Sequence, residues 1–154
     1  MVYTLATLVY CIRHGKVLLM QRRKPPYAGF WVAPGGKVES GESPQACALR
    51  EFKEETGLTA HTARLRAMVS ETSSRNDWQW LIFVYRVDAD SDKIISDERE
   101  GALAWLSLAC LDQANGIPPA DRHFMHDAIR ADDGVAEYHC VYDDQLELTH
   151  ISRL

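Results

Sequence analysis

GKVESGESPQACALREFKEETGL, residues 36–58, is the stretch that decides the fold. Ser43 followed by Pro44 is typical of a helix start, because serine caps free backbone N–H groups and proline suits the first helical position. Gly57 is typical of a helix stop, since glycine readily adopts the left-handed conformation there. The stretch therefore predicts a helix over Pro44–Thr56. Its apolar members, predicted to face a core, are Ala48, Leu49 and Phe52.

Three glutamates of this helix, Glu51, Glu54 and Glu55, are spaced i, i+3 and i+4, so their carboxylates share one face. A solvated acidic face is one interpretation, although like charges at i,i+4 repel by roughly 0.2–0.5 kcal/mol per pair. A divalent cation would relieve that repulsion, and hard oxygen ligands suit Mg²⁺ or Mn²⁺. Gly35 and Gly36 would let the preceding loop approach a metal or a phosphate closely. Together these features favour a metal site over a solvated face.

The segment also fits a longer pattern without a gap, G-x5-E-x7-R-E-U-x-E-E-x-G-U, where U is a bulky apolar residue. It resembles the Nudix box, the motif of hydrolases that cleave diphosphates linked to another group. The resemblance implies that Arg50 orients the carboxylates and that Glu42 holds the site together. The metal ligands that it implies are the Gly35 carbonyl, Glu51, Glu54 and Glu55.

A second acidic run, SDERE at residues 96–100, precedes a predicted strand. A solvated surface loop is the ordinary interpretation of such a run. In MutT-like Nudix proteins, however, a glutamate outside the box at about this point completes metal binding or activates water. The resemblance therefore implies that Glu98 is a further metal ligand, with Glu100 as the alternative. Glu54 and Glu98 are both candidates for the general base.

The resemblance implies hydrolysis of a phosphorus-containing acid anhydride. Water would attack a phosphorus in line, and a nucleoside triphosphate would give the monophosphate and pyrophosphate. Arg22, Arg23 and Lys37 are the cations predicted near the phosphates, although each could equally be an ordinary surface charge.

The whole chain resembles the MutT branch of the family, the enzymes that remove 8-oxo-dGTP from the nucleotide pool. Bacterial members have an asparagine that binds the oxidised purine after a Pro-Pro-Ala stretch, and Asp121 stands at that place here. Asp121 could bind a purine edge or instead cap the following helix. Trp31 and Phe83 are predicted to contact the substrate. The aromatic residues that could stack on a base, unless they are core residues, are Tyr27, Phe30, Trp78, Trp80 and Phe83.

Other functions stay open at this point. Pterin triphosphate, ADP-ribose or another nucleoside-diphosphate-linked compound are alternative substrates within the family. A non-catalytic nucleotide-sensing module is an alternative from a different class. Such modules generally lose box glutamates, whereas all three are present in this chain.

Strand and helix signals alternate along all 154 residues, which predicts one domain. Apolar runs at 5–13 and 16–22 predict a hairpin around His14 and Gly15. Further strands are predicted at 65–71, 78–87 and 102–106, a helix at 121–131, and a closing hairpin at 135–141 and 146–152. The family resemblance implies an α/β/α sandwich with a mixed sheet between helices.

Charge and composition limit the partners. With 22 acidic and 17 basic residues the net charge is −5, which disfavours polymeric nucleic acid, whereas a metal and a few cations can still hold a small anionic substrate. No apolar run reaches the roughly 18–20 residues of a membrane span, and no secretory signal is evident. Four separated cysteines are typical of reduced thiols. We therefore predict a cytoplasmic protein without membrane contact, either a monomer or a homodimer.

Overall fold

A computed structural model describes residues 1–25, 27–113 and 116–154 of the chain. The elements within these residues are β1 (Thr4–Arg13), β2 (Lys16–Arg22), β3 (Trp31–Val32), β4 (Gly35–Lys37), α1 (Pro44–Thr56), β5 (Ala60–Ser73), β6 (Gln79–Ala89), β7 (Gly101–Ser107), a 3-10 helix (Leu108–Gln113), α2 (Asp121–Ile129), β8 (Ala136–Tyr142) and β9 (Leu148–Arg153).

The strands form one mixed sheet in the order β3-β2-β1-β6-β5-β8-β9, with β4 paired to β1 and β7 paired to β2. The β1–β6 and β5–β8 pairs are parallel, and the other pairs are antiparallel. β1 and β6 are adjacent although 65 residues of chain separate their ends, because the connection passes through α1 and β5. The long central strands thus fix the loops at their edges.

A helix covers each face of this sheet. Phe52 of α1 is fully buried against residues such as Val9 and Tyr85. Phe124 of α2 is buried on the other face, against a cluster that includes Tyr10. Successive buried residues of β1 and β6 point to opposite faces of the sheet, so one buried cluster lies under each helix. The predicted α/β/α sandwich with a mixed sheet is confirmed.

Helix α1 has the predicted bounds, whereas α2 ends at Ile129 rather than at residue 131. Arg130 is already extended, with ψ of 146°. Two arginines on neighbouring strands bind the last carbonyl groups of α2, which would otherwise be unpaired. Arg66 donates to the Asp127 carbonyl at 2.7 and 3.0 Å, and Arg86 donates to the Ile129 carbonyl at 2.6 Å. Tertiary contacts therefore set the end of α2.

The predicted hairpins are present, β1–β2 around His14 and Gly15 and β8–β9 around residues 143–147. Strand β5 is longer than predicted because it continues through two register irregularities, one of them next to Arg66. None of the helices in the described parts of the chain has the length and apolar character needed to cross a lipid bilayer.

Candidate active site

The sequence of α1 determines which residues it presents to the site. The Ser43 hydroxyl accepts a hydrogen bond from the Ala46 N–H at 3.1 Å, as expected for a serine cap. Gly57 ends the helix with φ of 74° and donates to the Lys53 carbonyl at 2.9 Å. Because Phe52 is anchored in the core, the neighbouring acidic face is turned outward toward a cavity. Glu51, Glu54 and Glu55 all line that cavity.

Gly35 and Gly36 belong to the short strand β4, which we call the glycine loop. It packs directly against this acidic face. The Gly35 N–H donates to Glu55 Oε2 at 3.1 Å. A Cβ atom added to Gly36 would lie 2.4 Å from the Glu51 carboxyl carbon, and one added to Gly35 would lie 1.9 Å from the Thr7 carbonyl oxygen. Any side chain at either position would therefore collide with neighbouring atoms. Gly36 is required because its backbone touches the Glu51 carboxylate, and Gly35 because its backbone lies against the neighbouring strand at Thr7.

Arg50 connects the carboxylates to one another. Its Nη1 atom lies 2.9 Å from Glu51 Oε1 and 3.3 Å from Glu54 Oε2, and its guanidinium also donates to both oxygens of Glu42. The Arg50 hydrogen bonds lower the pKa of Glu42 to about 2, so Glu42 stays ionised. The structure thus brings together the loop glutamate, the arginine and the helix glutamates that the sequence predicted.

The remaining electrostatics favour a cation. Burial raises the pKa of Glu55 to about 8, the Gly35 N–H opposes that shift, and the charges of Glu51 and Glu100 add to it. Burial also raises the pKa of Glu51. Crowded carboxylates with raised pKa values bind a divalent cation when they lose their protons. Hard oxygen donors of this kind fit Mg²⁺ or Mn²⁺.

The carboxylates are not yet arranged as a ligand set. No three His, Cys, Asp or Glu side chains within residues 1–25, 27–113 and 116–154 converge on one point as metal ligands would. The reason is visible in their hydrogen bonds, because Arg50 holds Glu51 and the Gly35 N–H holds Glu55. Glu54 is 59% exposed and can turn toward a cation. The donors fit a metal, but binding requires these side chains to rotate.

The glutamates outside the box separate into two environments. Glu100 lines the acidic cavity of about 300 Å³ together with the helix glutamates. Glu98 does not line it. Its backbone is left-handed, with φ of 54°, and its carboxylate lies 3.8 Å from Arg23 Nη2. The placement therefore favours Glu100, the alternative prediction, over Glu98 as a further metal ligand. Arg23 contacts Glu98, and it lines neither this cavity nor the second cavity, next to the glycine loop.

A second cavity, of about 400 Å³, adjoins the glycine loop on the α2 face of the sheet. We call it the aromatic cavity, because Tyr27, Trp78 and Trp80 line it. It shares Glu55 and Glu100 with the acidic cavity. Lys37 lies at this end, with its Nζ atom 5.6 Å from the centre of the Trp80 ring. The other side chains that were predicted from the sequence as possible substrate contacts and that line this cavity are Arg22, Tyr27, Trp78 and Asp121.

Two predicted substrate contacts lie elsewhere. Phe83 packs on the α1 face of β6, whereas the cavity-lining residues Trp80 and Ile82 are on the opposite face. The assignment of Phe83 to the substrate pocket is therefore corrected, since adjacent strand residues point to opposite faces. Trp31 packs against the α2-side core and does not line the cavity, although its neighbour Val32 does.

Asp121 is the first residue of α2, and the helix is capped instead at Ala120, which has helical torsions and no side-chain capping bond. Asp121 lines the cavity, and burial raises its pKa to about 8, with the charge of Glu71 adding to the shift. Glu71 of β5 lines the same cavity and was not found by sequence analysis. Alternation along β5 predicts that Glu71 and Val69 share one face of the sheet. It does not predict that α2 brings Asp121 to the same face.

Comparisons with known proteins find relatives over most of the chain. Residues 2–128 match the NUDIX domain family. The chain is 32% identical over 136 residues to Nudix hydrolase YvcI of Bacillus subtilis, with 86% of this chain and 83% of that protein covered. It is 35% identical over 127 residues to a putative 8-oxo-dGTP diphosphatase of Mycobacterium tuberculosis, covering 81% and 87%. The crystal structure of a MutT protein from Bacillus halodurans superposes with a TM-score of 0.83 at 25% identity, covering 97% of each chain.

Proposed function

Because this chain belongs to the NUDIX domain family, whose hydrolases act on phosphorus-containing anhydrides and generally use divalent metals, we propose that it is a Mg²⁺-dependent nucleoside triphosphate hydrolase. The proposed products are the nucleoside monophosphate and pyrophosphate, and the proposed substrate is 8-oxo-dGTP. The observation that carries the proposal is the junction of the two cavities. Glu55 and Glu100 line both the acidic cavity and the aromatic cavity beside it.

The proposed metal ligands are the Gly35 carbonyl and the carboxylates of Glu51, Glu54 and Glu55, with a further glutamate from the loop before β7. Glu100 is better placed for that role than Glu98, since it lines both cavities. When bound, Mg²⁺ (or Mn²⁺) would neutralise phosphate oxygens and make water a stronger nucleophile.

The residues of the chain then have separate tasks. Of the three helix glutamates, Glu54 is the exposed one, at 59%, whereas Glu51 and Glu55 are partly buried. We therefore assign it the role of accepting a proton from the attacking water. Glu98 stays the other candidate base. Arg50 would keep the carboxylates oriented while they exchange hydrogen bonds for metal contacts. A general base contributes typically 10²–10⁴-fold to the rate.

The cations of the aromatic cavity support binding of a polyphosphate. Lys37 belongs to β4, next to Gly35 and Gly36, and lines the cavity at the end that also contains Glu55. Arg22 lines the same cavity. Arg23 points to Glu98 and is the weakest of the three candidates. We assign Lys37 and Arg22 to the phosphates.

The walls of the cavity support binding of a base. Tyr27, Trp78 and Trp80 provide aromatic surface for stacking, and Asp121 provides a polar group for the purine edge. The similarity to a putative 8-oxo-dGTP diphosphatase over most of both chains supports an oxidised guanine as the base. We further propose a cytoplasmic location, with either a monomer or a homodimer as the functional unit.

The test is a panel of oxidised and normal nucleoside triphosphates, with pterin triphosphate and ADP-ribose added, each incubated with Mg²⁺. Pyrophosphate and monophosphate should appear fastest from 8-oxo-dGTP, and chelation of the metal should abolish the reaction. Fastest hydrolysis of a pterin triphosphate or ADP-ribose would replace the substrate while keeping the reaction class. Binding without turnover would favour the sensing module.

A further inference from the structure

Besides Asp121, and besides the Glu55 and Glu100 carboxyl groups shared with the acidic cavity, the aromatic cavity contains the carboxyl group of Glu71. Glu71 lies on β5, directly opposite Trp80 of β6, and lines the cavity with Asp121 from α2. In the described residues, neither Glu71 nor Asp121 forms an ion pair within 4.0 Å. Both side chains are partly buried where they line the cavity, and carboxyl groups in such positions are normally hydrogen-bonded to protein groups, water or a ligand. A ligand with N–H donors would therefore find two acceptor groups in this cavity.

The partners that Glu71 does have leave part of it free for a ligand. The Tyr142 hydroxyl is hydrogen-bonded to Glu71. A carboxylate accepts about four hydrogen bonds, so further acceptor positions remain. Burial raises the pKa of both Glu71 and Asp121, and the charge of Glu71 adds to the shift at Asp121. The pair therefore tends to retain a proton near neutral pH, which limits the repulsion between the two groups.

The position of Glu71 in the sheet separates it from the proposed phosphate end of the cavity. Val69, Ile82, Ala6 and Lys37 are cross-strand neighbours in one row that runs from β5 through β6 and β1 to β4. Glu71 is two residues beyond Val69 on the same face, so about 14 Å of sheet, three strand spacings, lies between it and the strand of Lys37. A nucleotide with its phosphates at the glycine loop would direct its base toward Glu71.

We propose that Glu71 is a specificity-determining residue that, with Asp121, binds the edge of a purine carrying adjacent ring N–H and exocyclic amino donors, as guanine does. The inference rests on the proposed function, because it concerns the base end of the same cavity. Two carboxyl groups match two neighbouring N–H donors, and a purine that lacks the amino group would leave one of them unpaired. Trp78 adds a buried indole Nε1 atom with no hydrogen-bond partner among the described residues.

The experiment compares dGTP with dITP, which differ only in the exocyclic 2-amino group, and uses kcat/KM for pyrophosphate release with Mg²⁺ present. Wild type should favour dGTP by roughly ten- to a hundredfold, the range for one hydrogen bond to a charged group. Glu71→Gln should reduce that ratio to below about threefold, mainly through KM. Glu137→Gln, an exposed glutamate on the neighbouring strand β8, should leave the ratio unchanged.

The ratio of two substrates on one sample is insensitive to the fraction of folded enzyme, so a purely structural role of Glu71 would not change it. Equal kcat/KM values for dGTP and dITP in wild type overturn the inference, as does a wild-type ratio in Glu71→Gln. If Glu71→Gln does not fold, the wild-type ratio still tests the inference. Tyr142→Phe, which removes the hydroxyl bonded to Glu71, should then lower the dGTP/dITP ratio, and an unchanged ratio in that variant overturns the inference. Absence of turnover with every nucleotide would overturn the proposed function itself, and this inference with it.

Discussion

Arg50 and Glu42 form a two-pronged ion pair, with Nε 2.7 Å from Oε1 and Nη2 3.0 Å from Oε2. The same guanidinium reaches Glu51 with its remaining nitrogen, at 2.9 Å. Glu42 therefore fixes the plane of the arginine that in turn holds a proposed metal ligand. Bidentate pairs of this kind give geometric specificity as well as energy.

We expect Glu42→Gln to lower kcat/KM by roughly 10- to 100-fold, the usual effect of losing a group that orients metal ligands. The Mg²⁺ concentration needed for half-maximal rate should rise as well. Glu39→Gln is the matched control, because Glu39 lies 3.8 Å from Arg50 and is 69% exposed. If both variants behave alike, the bidentate pair has no special role in orienting the site.

Removing the proposed base should affect turnover and leave the fold intact. Glu54→Gln keeps the size of an exposed side chain, so its melting temperature should change little. Its kcat should fall by at least about two orders of magnitude, because a proton acceptor is lost from the site. Stopped assays with 8-oxo-dGTP and Mg²⁺ measure this. Wild-type turnover of Glu54→Gln would exclude Glu54 and leave Glu98 as the candidate.

The glycine loop allows a test of close packing. Gly36→Ala would place a methyl group 2.4 Å from the Glu51 carboxyl carbon, so the glutamate must move away from the site. We expect kcat to fall at least about tenfold, the usual scale for disturbed ligand orientation. Gly134→Ala is the control, since its added methyl group would meet only the Asp132 carboxylate at an ordinary 3.5 Å. Equal activity of Gly36→Ala and wild type would show that the position of Glu51 does not matter.

The parts of this structure that were predictable from sequence are those with local causes. Ser43, Pro44 and Gly57 act on their own backbone, so the bounds of α1 were predicted correctly. The fixed spacing of the acids along the helix placed Glu51 and Glu55 on one face.

The parts that were missed depend on long-range pairing. Alternation shows that Phe83 and its neighbours point to opposite faces, but the face that holds the cavity is set by packing of α1 and α2. Glu71 and Asp121 are 50 residues apart and share a cavity through tertiary structure. The choice between Glu98 and Glu100 depended on a left-handed residue within an irregular loop, which no periodicity predicts.

The buried Arg66 gives the protein an acid-sensitive contact outside the two cavities of the proposed active site. Its guanidinium is 1% exposed and lies 2.6 Å from the Asp132 carboxylate. The Arg66 hydrogen bond is the main reason that the pKa of Asp132 is lowered below its ordinary value of about 3.9. A lowered pKa in the folded state means that the ionised form stabilises the fold. That contribution is fully present above about pH 4 and is lost as the pH falls further.

We therefore expect Asp132→Asn to lower the urea midpoint of unfolding at pH 7, because a buried arginine loses its carboxylate partner. The difference from wild type should shrink as the pH falls below about 4, because Asp132 is then protonated first in the unfolded chain and, at a still lower pH, in the folded protein. Asp133→Asn is the adjacent control, since Asp133 pairs with the surface residue Arg64 and is 90% exposed. That exposed pair should contribute little at any pH. A pH-independent effect of Asp132→Asn would show that the charge of the Asp132 carboxylate is not the source of the stabilisation.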